Sequence, residues 1–90
     1  MTQAIVDPEA VRSFASRLSA FNRGLDSITS AMESQFGDLG DTWRDQEHAS
    51  FEQLFNETVR MIKGFIPASD EHVRFLLRKA EAAQEYLNRR

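Results

Sequence analysis

Two histidines, His48 and His72, carboxylates grouped at Asp45, Glu47 and Glu52 and again at Asp70 and Glu71, and one tyrosine, Tyr86, are what this chain offers for chemistry. A metal site needs three or four ligands that converge, and His48 and His72 lie too far apart on what reads as one long helix for a single chain to bring them together. There is no cysteine, hence no disulfide framework, no thiol nucleophile and no Cys-based metal site. Neither a Gly-rich phosphate loop, nor a Ser/His/Asp order, nor zinc-ligand spacing occurs. The carboxylates fit a solvated face and the first turn of a helix, where negative charge suits the helix dipole. These residues predict a protein without a catalytic centre, a cofactor or a metal.

The elements that would hold these side chains are two amphipathic helices. Val11, Phe14, Leu18, Phe21, Leu25, Ile28 and Met32 follow one another in steps of three and four, and Phe36 and Leu39 continue the row with a shifted phase. Such spacing marks one face of a helix. Asp7 is a good N-cap, Pro8 suits the first helical position, and Glu9 adds first-turn negative charge. The Gly37 to Gly40 region ends the element, so helix one covers about 8–37 and, at ~1.5 Å per residue, forms a rod of roughly 45 Å. Small residues flank its stripe at Ala10, Ser13, Ala20, Gly24, Ser27 and Ala31, and this flank is expected to be the tight side of the bundle.

After a polar hinge at about 38–43, helix two runs over about 44–88. Its stripe is Phe51, Phe55, Val59, Ile62, Ile66, Ser69, Val73, Leu76, Ala80, Ala83 and Leu87. One position to the side runs a companion row of Leu54, Thr58, Met61, Phe65, Ala68, His72, Phe75, Ala82 and Tyr86, on which His72 reads as a half-buried packing residue. Two adjacent rows need two neighbours, and helix one supplies only one. Pro67 removes a backbone hydrogen bond and clashes with the preceding turn, yet the apolar phase crosses it without a skip. A kinked continuous helix is therefore favoured over a break with Ser69 capping a third helix, and Gly64 eases either outcome.

Ninety residues make one domain, 1–90, and a lone hairpin leaves part of its apolar face wet. The expected architecture is an all-α antiparallel two-helix hairpin that pairs with a second copy into a four-helix bundle. Phe51, Phe55, Met61, Phe65 and Phe75 are the candidate dimer or partner residues. The start has neither a basic n-region nor a long apolar run, and no segment is apolar for long enough to span a membrane. Either secretion without a conventional signal peptide or a cytoplasmic location fits, with no membrane insertion. The formal charge is −3, so the basic last segment, from Arg74 to Arg90, reads as a helix end with dipole-favourable charge and not as a nucleic-acid patch.

Trp43 near the middle of the chain, a long amphipathic helix on either side of it, and Phe51 eight residues later make the sequence resemble the WXG family, small helical hairpins related to the early secreted antigenic targets of type VII secretion. The likeness covers nearly the whole chain, but the family's Trp-X-Gly hinge reads Trp43-Arg44-Asp45 here. Thr42 as N-cap, with Asp45 three residues on, resembles a capping box that would replace the glycine, with Trp43 closing the loop end of the bundle. The family's secretion signal is a Tyr followed four residues later by Asp or Glu. Tyr86 stands at a matching place with Arg90 at the fourth position, so only a residual signal remains.

The resemblance implies a non-enzymatic substrate, partner or adaptor of a type VII secretion system, recognised by an FtsK/SpoIIIE-like ATPase and acting as a homodimer or as a heterodimer with a related hairpin. The alternative is an intracellular dimeric scaffold or adaptor with no part in secretion.

Overall fold

The computed structural model describes residues 6–89. Most of the start, residues 1–5, and Arg90, the fourth residue after Tyr86, lie outside the described residues. Two α-helices, α1 (Pro8–Leu39) and α2 (Gln46–Asn88), form an all-α antiparallel hairpin 67 Å long, the length of 43 residues at ~1.5 Å each. The direction follows from the cross-helix pairs: Asn22 meets Asp70, Glu33 meets Lys63 and Phe36 meets Phe55, so partners descend in number along α1.

The start of α1 is fixed locally. Asp7 accepts hydrogen bonds from the Glu9 and Ala10 amides at 3.0 and 3.4 Å, which satisfies two donors the first turn leaves open, and Pro8 occupies the position where its missing N–H costs nothing. The helix passes through Gly37 and ends only at Leu39, with Gly40 as its C-cap. Along α2 the chain runs through Pro67 without a break. Pro67 is exposed, so the carbonyl it leaves without a partner is within reach of water. Ser69 caps nothing and lies buried between the helices.

The line buried between α1 and α2 is made of small and polar residues. On α1 it is Pro8, Ala15, Asn22 and Thr29, which recur every seven residues; on α2 it is Val59, Ser69 and Ala80. Small side chains let the two helix axes approach closely. Asn22 is 2% exposed and donates from Nδ2 to Asp70 Oδ1 at 2.9 Å, and the Thr29 hydroxyl donates to the Leu25 carbonyl at 2.6 Å.

The apolar stripe of α1 is consequently divided. Val11, Leu18 and Leu25 are half-buried on one shoulder of the seam, whereas Phe14, Phe21 and Ile28, one step further round, are 57%, 55% and 65% exposed. The stripe of α2 supplies the other half of the seam, with Phe55, Ile62, Ile66, Val73 and Leu76 half-buried beside it. The whole companion row is exposed, His72 included, which corrects its reading as a half-buried packing residue.

The small flank of α1 is also corrected. Ala10, Ser13, Ala20, Ser27 and Ala31 are exposed, and a Cβ at Gly24 would meet nothing within 4 Å. With about 100° of turn per residue, these positions lie opposite the seam, on the back of the helix.

Candidate functional site

The hinge is a continuous set of local hydrogen bonds. The Thr42 and Trp43 amides both donate to the Leu39 carbonyl at 3.1 Å, and Gly40 N–H donates to the Phe36 carbonyl at 3.2 Å, which satisfies carbonyls at the end of α1. Arg44 Nε donates to the Gly40 carbonyl at 2.6 Å. The N-cap of α2 is Asp45, which accepts from the His48 amide at 2.9 Å. This corrects the capping box read from the sequence: Thr42 is still engaged in closing α1, its hydroxyl 3.4 Å from the Leu39 carbonyl, and stands too early to cap α2. The His48 backbone N–H first, and the Trp43 indole N–H next, hold the Asp45 carboxyl below the usual carboxylate range.

This local geometry explains how aspartate stands where the WXG motif has glycine. Asp45 has φ −98° and ψ −173°, an extended conformation open to any L-residue, and no described residue has positive φ. Glycine matters instead at Gly40, where a Cβ would lie 3.3 Å from the Gly37 carbonyl oxygen.

Aromatic rings join the hinge to the helices. Trp43 meets His48 edge-on at 4.9 Å between centroids, His48 stacks on Phe36 at 5.1 Å with the planes 1° apart, and Phe36 in turn packs on Phe55 at 4.7 Å and Phe51 at 5.7 Å. His48 Nε2 is buried there without a hydrogen-bond partner among the described residues. Of the residues singled out from the sequence, the hinge thus brings together Trp43, Asp45, Phe51 and Phe55. Phe36 and His48 are members that sequence reasoning missed. Phe36 was visible only as the phase shift at the end of the first stripe, and His48 only as one of two histidines too far apart to share a metal.

A second assembly of residues runs along the rod. Lys63 Nζ lies 3.0 Å from Glu33 Oε1 on one shoulder of the seam, and Arg12 and Ser19 line a groove with Leu77 on that same side. By helical phase, Phe14, Phe21 and Ile28 of α1 and Leu54, Met61, Phe65 and Phe75 of α2 fall on the opposite shoulder, where they form one apolar face. Met61 is 73% exposed, Phe75 55% and Phe65 47%, so single-chain folding leaves these large side chains in water. Tyr86, 67% exposed, lies at the far end of the companion row, remote from the hinge.

The polar residues do not converge on a reaction centre. Asp45 is a cap, Asp70 binds Asn22, Glu71 pairs with Arg74, and His48 is half-buried at the start of α2 while His72 is exposed far along the same helix. Among the described residues, no three His, Asp or Glu side chains are grouped to hold a metal, and no helix is long and apolar enough to cross a membrane.

The family model WXG100, described as proteins of 100 residues with WXG, matches residues 3–86. No curated protein and no solved structure gives a match.

Proposed function

The chain belongs to the WXG100 family, and from that premise we propose that it acts as a homodimeric, non-enzymatic substrate or partner protein of a type VII secretion system. The family consists of small non-enzymatic helical proteins associated with type VII secretion that typically form dimers. What supports the dimer is the exposure of Phe14, Phe21, Ile28, Met61, Phe65 and Phe75, which helical phase places on one side of the hairpin. A monomer leaves this face wet, and burial is worth ~1.5–3 kcal/mol for each large side chain covered. Docking two such faces makes a four-helix bundle. Trp43, Asp45 and Thr42 serve as the hinge, and a related hairpin with the same kind of face would be accepted in a heterodimer.

Export through an FtsK/SpoIIIE-like ATPase is the expected outcome of that assembly, and Tyr86 is the residue of this chain proposed to take part. Its exposure at the end of the companion row leaves it available to a second protein. The test is to express the chain with the type VII machine of its own source and to compare cells with medium for wild type, Tyr86→Ala and Arg90→Asp. The reading predicts export of wild type, loss in Tyr86→Ala and a gain in Arg90→Asp, which completes the spacing from tyrosine to acid. Wild-type protein that stays inside intact cells with its neighbouring genes present would reject export and favour the intracellular dimeric adaptor.

A further inference from the structure

The side of the hairpin away from the aromatic face has a different chemistry. A groove of about 270 Å³ lies between α1 and α2, floored by Ala15, Val73 and Leu77 and walled by Arg12 and Arg23, with Ser16 and Ser19 between the two arginines. Leu77 is 46% exposed although its surroundings on this side are polar. Arg23 Nη1 donates to Ser19 Oγ at 2.9 Å, which ties the guanidinium to the groove wall. Among the described residues, neither Arg12 nor Arg23 pairs with a carboxylate, while carboxylates outnumber basic side chains in the chain as a whole, 14 to 11.

The two arginines are eleven residues apart, which is three helical turns, so they project in nearly the same direction about 16 Å from each other. We propose that this groove docks an acidic amphipathic helix of another protein. Two carboxylates about three turns apart on that helix would meet Arg12 and Arg23, and the apolar residues between them would cover Ala15, Val73 and Leu77.

Charge complementarity selects this occupant. A second copy of the chain is a poor match: its carboxylates eleven residues apart are Asp70 with Glu81, of which Asp70 is already held by Asn22 of its own hairpin, and Asp41 with Glu52, which straddle the hinge. A nucleic-acid strand would need a longer basic track than two guanidiniums. The docking helix would leave the aromatic face free, so the two surfaces can be engaged together.

The test uses the full chain and a labelled helical peptide of about 18 residues, with two Glu separated by three turns and Leu at the facing positions between them, read by fluorescence anisotropy. The control peptide carries Lys in place of the two Glu. The same Leu residues are present in both, so the difference in affinity reports the arginines. Wild type should prefer the Glu peptide by about tenfold or more at low salt, with the preference shrinking as salt rises. The double variant Arg12→Glu/Arg23→Glu should reverse the preference toward the Lys peptide, with the sedimentation of the protein itself unchanged. Equal binding of the two peptides, or a Glu preference that survives in the double variant, would overturn the proposal. So would binding of phosphatidylglycerol vesicles through Arg12 and Arg23 without discrimination between the peptides, which would assign the groove to an anionic surface.

Discussion

The seam inside the hairpin and the face outside it reverse the usual arrangement of a small protein. Within the chain, the line buried between α1 and α2 is mostly small or polar, and among the described residues only Ala15, Val59 and Ala80 are fully buried hydrophobic residues, with larger side chains such as Leu18, Phe55 and Ile62 half-buried beside them. Outside, Phe14, Phe21, Met61, Phe65 and Phe75 remain in water. Hydrophobic stabilisation scales with apolar area removed from water, so the larger part of what this sequence can gain lies on the outer face. In the proposed dimer the hairpin is half a core, thin on the inner side where the two helices sit close together and rich on the outer face that a second hairpin would cover.

The sharpest way to break that contrast is on the outer face. Phe65→Asp combined with Phe75→Asp removes two large anchors, each worth ~1.5–3 kcal/mol when buried, and places charge where a partner would lie. Loss of the dimer and of a cooperative thermal transition by circular dichroism is the expected result. A seam substitution should act in the opposite sense to one on the back of α1: Ala15→Leu overpacks the closest approach and should cost about 1–3 kcal/mol, whereas Gly24→Ala, with open space around it, should stabilise by up to about 1 kcal/mol through helix propensity. Urea denaturation measures both.

The polar part of the seam offers a finer contrast. Asp70→Ala strands the Asn22 amide in a buried site and should cost about 1–3 kcal/mol. Replacing both partners, Asn22→Leu with Asp70→Leu, strands neither and also removes the Asn22 carbonyl oxygen, which has no partner among the described residues, so it should be nearly neutral or stabilising in the same assay. The smallest effect belongs to the hinge. Asp45 has a lowered pKa in the folded chain, so its contribution is present above the unfolded pKa and disappears as pH falls through the folded value. The melting temperature should therefore be level at neutral pH and fall below about pH 4, the range of an ordinary Asp carboxyl. Asp45→Asn keeps a capping oxygen and should flatten part of that fall, while the Glu71 carboxyl, lowered by Arg74, preserves the remainder.

The hairpin itself was legible because heptad-spaced large residues, the Asp7-Pro8 start and the polar stretch around Trp43 are all local signals. The α1 half of the seam was not, because pattern reading counts Phe, Leu, Ile and Met and passes over Ala15, Asn22 and Thr29, whose value lies in being small enough for close helix approach, whereas Val59, Ser69 and Ala80 of α2 stood in its stripe. For the same reason the small flank around Gly24 looked like a contact side when it is the back of the helix: small size permits close packing but does not say that a neighbour is there. On α2 the two adjacent rows did carry the information, since one packs on α1 and the other stays in water. At the hinge, Trp43 announced itself, but His48 became part of the site only when Asp45 started α2 and turned the imidazole onto Phe36.

The most direct measurement is thermal unfolding of the wild-type chain at a series of concentrations, alongside sedimentation equilibrium at each. If the outer face is the missing half of the core, the mass should be twice that of the chain at micromolar concentration and the melting temperature should rise with concentration, as mass action requires when folding and association are linked. A chain that sediments as a monomer and melts cooperatively at one temperature across the whole series would contradict it, because the small and polar seam would then be stabilising the hairpin by itself.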